Sequence, residues 1–131
     1  MNNIGLKERR RTILIIDDDP HARAVLRVAL EAANFSVGEA VNAAEGGRTC
    51  ARIRPDAILV DLMMDSVEAG SLLAEKLKAE GSVTPIYIVS TAAEALVGAV
   101  GLRELGISGV FLKPADTEIV VQTLKTRLVA A

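Results

Sequence analysis

The stretch Ile13-Leu14-Ile15-Ile16-Asp17-Asp18-Asp19-Pro20 decides how the rest of the chain is read. Four branched aliphatics run directly into three carboxylates and a proline. A short, continuous, β-favouring run of this kind suits a strand buried on both faces of a parallel sheet. It ends in charges that are costly to bury, so its carboxyl end must face water or a cation. Pro20 suits the first turn of a following helix, with Asp19 as the N-cap. Strand, acidic tip and helix together place acidic groups on the sheet edge where open α/β folds bind ligands.

The chain on either side of this stretch repeats the pattern. Residues 1–11 form a polar lead-in ending in Lys7-Glu8-Arg9-Arg10-Arg11, read as a solvated tract rather than a nucleic-acid contact. Pro20 to Ala33 reads as a helix with Ala24, Val25, Val28, Ala29 and Ala32 as its apolar stripe, and Asn34 closing it. A strand over Phe35–Ala40 and a helix over Asn42–Ile53 follow, the helix rich in Ala and Gly and stopping before Pro55. Ala57-Ile58-Leu59-Val60-Asp61 is another buried strand that ends in a carboxylate. After a loop from Leu62 to about Val67, Glu68–Glu80 carries Leu72, Leu73 and Leu77 at helical spacing and is closed by Gly81. Pro85–Val89 is a strand ending in the hydroxyls of Ser90 and Thr91. Ala93–Leu105 is helical in pattern, but Gly98 and Gly101 each cost it about 1 kcal/mol relative to Ala. Val110-Phe111-Leu112 ends in Lys113-Pro114, and Asp116 caps a final helix through Leu128 with Val120, Val121, Leu124 and Leu128 inward.

Five alternating strand–helix units predict one α/β domain over residues 12–131: a doubly wound parallel sheet with helices on both faces. Right-handed crossovers put every strand's carboxyl end on one edge. The 131 residues suffice for a real core, and with only three aromatics that core must be aliphatic. A net charge of −2 argues against a nucleic-acid or membrane surface. No apolar run spans a bilayer, and the N-terminus lacks a signal peptide's apolar segment. Cys50, the single cysteine, is read as a small packing residue and excludes an internal disulfide. The expectation is a soluble cytoplasmic protein.

Four units end in functional groups: Asp17 and Asp18, Asp61, Ser90 and Lys113. Three gathered carboxylates repel one another unless a cation joins them. Hard oxygen ligands fit Mg²⁺, whereas zinc lacks any Cys or His pair at ligand spacing. Mg²⁺ and Lys113 would make a positive pocket around Asp61, making it a candidate carboxylate nucleophile toward a phosphoryl group. The Ser90 hydroxyl would hydrogen-bond a phosphoryl oxygen in only one of two states, as a switch requires. Set against these are plainer roles: helix caps for the acids and the hydroxyls, a surface lysine for Lys113. His21, beside the acids, is assigned no role.

These pieces resemble the receiver domain of two-component response regulators from Thr12 to the C-terminus. The resemblance rests on Ile13–Asp19, Pro55–Met64, Pro85–Ser90 and Gly109–Pro114. It implies a CheY-like (flavodoxin-like) fold of strand order 2-1-3-4-5, acting as a signalling domain rather than an enzyme beyond assisting its own phosphorylation and dephosphorylation. It also implies phosphotransfer from a histidine kinase or phosphotransfer protein onto Asp61 and switched contacts with a downstream effector protein. Asp17 and Asp18 match the family's Mg²⁺-holding pair, with the Met63 backbone carbonyl as a further ligand. Ser90 matches the switch hydroxyl and Lys113 the phosphoryl-pairing lysine. The last strand and helix are implied as an effector or homodimer face.

Three positions depart from the family pattern. Asp65 stands where Pro is usual, Ala69 where Gly is usual, and Val110 where the switch aromatic is usual. They motivate an alternative, a phosphorylation-independent interaction module. A Mg²⁺-dependent aspartyl-phosphate hydrolase ranks below both, because no second acid stands two residues after Asp61.

Overall fold

The aliphatic runs become strands because each alternate residue finds a helix layer to pack against. In a computed structural model, described here over residues 10–61, 66–91 and 106–129, β1 (Thr12–Asp17) leads into α1 (Pro20–Ala32) and β2 (Ser36–Ala40). Then come α2 (Ala43–Ile53), β3 (Ala57–Asp61), α3 (Ser66–Ala79), β4 (Ile86–Ser90), β5 (Gly109–Leu112) and α4 (Thr117–Val129). The five strands form one sheet in the order β2-β1-β3-β4-β5, and each adjacent pair is parallel. The expected strand order and fold class are therefore observed. The helix expected over Ala93–Leu105, residues 62–65 of the expected Leu62–Val67 loop and most of the basic lead-in lie outside the described residues, and Ser66 and Val67 already belong to α3.

β1 shows the two-sided logic. Ile13 and Ile15 enter a core that also holds Leu26 and Leu30 of α1, Leu59, Val89, and Val120 and Leu124 of α4. Leu14 and Ile16 point the other way, into a core with Cys50 of α2, Leu73 and Leu77 of α3, Ile58 and Ile88. Helices thus cover both faces of the sheet, as a strand alternation of period two demands. Two of the three aromatics, Tyr87 and Phe111, stack with ring centroids 5.3 Å apart. Gly46 lets α2 lie close on β1, because a Cβ there would overlap Ile16 Cδ1.

The caps are where the sequence puts them. The Asp19 carboxylate accepts from His21 N–H at 2.9 Å, and the Asp116 carboxylate accepts from Glu118 N–H at 3.0 Å. Asn34 follows α1 in the left-handed region at φ 73°. The inward face of α1 differs from the expected stripe. Leu26 and Leu30 are buried, whereas Val28 is 69% exposed and Val25 and Ala24 also face outward. In a helix where Ala, Val and Leu are all frequent, the largest side chains win the interior because they remove most apolar area from water. α3 behaves alike: Leu73 and Leu77 are buried and Leu72 is exposed.

Candidate phosphoacceptor and metal site

All the chemistry-bearing groups sit on the edge formed by the carboxyl ends of the strands. Asp17 and Asp61 are the last residues of β1 and β3 and are paired in register. Ser90 is the last residue of β4, and Lys113 directly follows β5. The Lys113 backbone N–H donates to the Ser90 carbonyl at 2.8 Å, extending the β4–β5 pairing by one step. That brings the Lys113 ammonium to Asp61, with Nζ 2.7 Å from Oδ1. The Asp61 side chain is 11% exposed, so this pair is far less water-screened than a surface ion pair.

Asp17 is almost completely buried. Its Oδ1 accepts from the Asp19 N–H at 2.8 Å, while its Oδ2 is buried without a hydrogen-bond partner. Burial, reinforced by the charges of Asp61, Asp18 and Asp19, pushes its carboxyl up to about 6 against the opposing Asp19 hydrogen bond. Asp18, next in the chain, is exposed on the edge. An orphaned, buried carboxylate oxygen beside two further acids is a set of hard donors with one lone pair in want of a cation, and it fits Mg²⁺. Among the described residues no group of three acidic, His or Cys side chains is placed to hold a metal ion. Mg²⁺ does not need one, since it keeps several waters and takes one or two carboxylates. Met63 and Asp65 lie outside the described residues.

Ser90 is fully buried, its Oγ donating to the Thr91 carbonyl at 3.2 Å. Val110, in the place of the usual aromatic, is the register partner of Ile88 and packs against the α2–α3 side core. Cys50 is buried in that same core, and burial pushes its thiol up to about 11, so it acts as a packing residue. Arg23 has no place in the sequence-based site, yet its Nη1 donates to the Asp17 carbonyl at 2.7 Å and its Nε to Glu39 Oε1 at 2.9 Å. The signal was a lone acid, Glu39, in the otherwise uncharged strand β2.

The shifted Asp17 carboxyl makes stability depend on pH. Between about pH 4 and 6 the folded chain holds a proton that the unfolded chain, with a carboxyl near 3.8, has released. The stabilising contribution is therefore full at low pH and lost as pH rises through about 6. The loss is of the order of 2–3 kcal/mol. Asp17→Asn is expected to raise the stability of the metal-free chain at about pH 6.5 and flatten its slope between about pH 4 and 6.5. Urea melts at the two pH values read this directly; a variant with the slope of the parent refutes it.

Comparison with known proteins agrees with this fold. The family described as the response regulator receiver domain matches residues 13–125. The chain belongs to that family. Receiver domains are two-component signalling domains, not conventional enzymes, and they act between kinases and effectors. This receiver is 31% identical over 116 residues to the transcriptional regulatory protein GlrR of Escherichia coli, spanning 88% of the chain but only 26% of that protein. It is 30% identical over 117 residues to protein PilH of Pseudomonas aeruginosa, covering 88% of the chain and 96% of PilH. Its fold matches a CheY-like receiver domain protein of Methanospirillum hungatei with a TM-score of 0.79, at 24% identity over 92% of this chain and 95% of that one. Chemotaxis response regulator CheY4 of Vibrio cholerae matches with a TM-score of 0.77, at 24% identity over 91% and 99% of the two chains. Among the described residues no helix of the receiver is long and apolar enough to cross a membrane.

Proposed function

We propose that this receiver accepts a phosphoryl group on Asp61 from the phosphohistidine of a histidine kinase or phosphotransfer protein, and that the modification changes which proteins it contacts. The observation that carries the reading is the Lys113 ammonium held 2.7 Å from an Asp61 carboxylate oxygen, next to the unsatisfied Oδ2 of Asp17. A carboxylate oxygen of Asp61 forms the new O–P bond. The N–P bond of the donor breaks, and the leaving imidazole takes up a proton. The product is an acyl phosphate.

Lys113 is already placed at the attacking group, so it meets the developing phosphoryl charge without reorganisation. Asp17, Asp18, Asp61 and the Met63 carbonyl would hold Mg²⁺. When bound, Mg²⁺ supplies positive charge against the phosphoryl oxygens and the clustered acids. The Ser90 hydroxyl exchanges its long bond to the Thr91 carbonyl for a phosphoryl oxygen. The outlet is the β5–α4 edge, where Leu112 and Ile119 stand 53% and 56% exposed and suit an effector protein or a second copy of the chain.

The test is incubation with Mg²⁺ and acetyl phosphate, read by intact mass, with EDTA as the control arm. One added phosphoryl group that EDTA prevents is expected. Light scattering before and after labelling reads any change in self-association. An unlabelled chain, under conditions that label a control receiver, would favour the second reading, a phosphorylation-independent interaction module. Val110 in place of a switch aromatic is the observation behind that reading.

A further inference from the structure

Arg23 bridges two elements at the site edge. Its side chain is only 16% exposed, and its guanidinium holds two partners: Nε donates to Glu39 Oε1 at 2.9 Å and Nη1 to the Asp17 carbonyl at 2.7 Å. Glu39 is itself held by Arg27, which pairs in turn with Glu31. Arg23 of α1 thus links the edge strand β2 to the peptide that joins Asp17 to Asp18.

A peptide unit is planar and rigid. Fixing the Asp17 carbonyl fixes the plane between the two residues, and so the directions in which both carboxylates leave the backbone. The Asp19 N–H on Asp17 Oδ1 restrains the same turn from its other side. Glu39 also occupies the Arg23 guanidinium, which would otherwise be free to turn onto the acids and compete with a cation.

We infer that Arg23 is a positioning residue for Mg²⁺: through the Asp17 carbonyl it aims the Asp17–Asp18 pair, and Glu39 keeps it on the carbonyl rather than on the carboxylates. The inference rests on the Mg²⁺ part of the proposed function. It makes a prediction opposite in sign to simple electrostatics. Removing a cation beside an acidic site should tighten Mg²⁺ binding if charge alone matters. If Arg23 aims the ligands, its loss weakens binding.

The experiment is calorimetric titration of the full chain with MgCl₂, wild type against Arg23→Ala, Arg23→Lys and Arg27→Ala, with urea melts recording stability separately. Losing an outer-shell partner typically costs 10–100-fold in metal affinity, and weakening of about tenfold is expected for both Arg23 variants. Arg23→Lys keeps the charge and lacks the fork, so it should bind as weakly as Arg23→Ala. Arg27→Ala leaves the Asp17 carbonyl bond in place and should bind Mg²⁺ as the parent does. Unchanged or tighter binding by the two Arg23 variants, or equal weakening by Arg27→Ala, would overturn the inference while leaving the Mg²⁺ site standing. A wild-type chain that binds no Mg²⁺ would overturn both.

Discussion

Asp61→Asn accepts no phosphoryl group from acetyl phosphate under conditions that label the parent: this is the largest effect expected of any single substitution. The amide is nearly the same shape as the carboxylate but is not a nucleophile, so the O–P bond has no oxygen to form from. The change also removes the carboxylate charge facing Lys113 and one of the like charges acting on Asp17. The Asp17 carboxyl should then move back toward its ordinary value, which offsets part of the lost ion pair. Folding should survive, with a urea midpoint close to the parent. Intact mass reads the first expectation and a urea melt the second. A label that persists on a folded Asp61→Asn chain would mean the acceptor lies elsewhere.

The second large effect concerns the core. Leu30 is completely buried in α1 with Ile13, Ile15 and Phe35 in its cluster. Its carbonyl also accepts from Phe35 N–H at 3.0 Å as the chain leaves the helix. Leu30→Ala removes apolar contact and leaves a cavity between α1 and the sheet. Such changes cost about 2–5 kcal/mol, a large share of the roughly 5–15 kcal/mol that holds a domain together. With an m-value of about 2 kcal/mol/M, the urea midpoint falls by about 1–2.5 M. Val28→Ala on the same helix, at a side chain 69% exposed, should change stability by less than about 0.5 kcal/mol. The pair tests which face of α1 is inside; equal effects would contradict the packing described above.

That contrast also marks how far the sequence could be read. The strands were legible because β1, β3 and β4 lie in the middle of a parallel sheet, where burial on both faces requires unbroken aliphatic runs. The order 2-1-3-4-5 came from resemblance, not from periodicity. The face of α1 was misread because Ala24, Val25, Val28, Ala29 and Ala32 also recur at helical spacing, and side-chain size rather than spacing alone chose Leu26 and Leu30 for the interior. Asp17, Asp61, Ser90 and Lys113 could be picked out because each closes an apolar run. Two of them, Lys113 and Asp61, lie in direct contact. Arg23 was invisible for the opposite reason. Its partners, the Asp17 carbonyl and Glu39, lie on two different strands, and no spacing along one helix reveals a contact that exists only after α1 packs against the edge of the sheet.

The central claim is that one particular carboxylate takes the phosphoryl group. Borohydride reduces an aspartyl phosphate to homoserine, and peptide mapping of the reduced, acetyl-phosphate-treated chain then locates the acceptor. Homoserine at position 61 alone is the predicted result. Homoserine at position 17 or 18, or none in a chain that carries the phosphoryl mass, would contradict it.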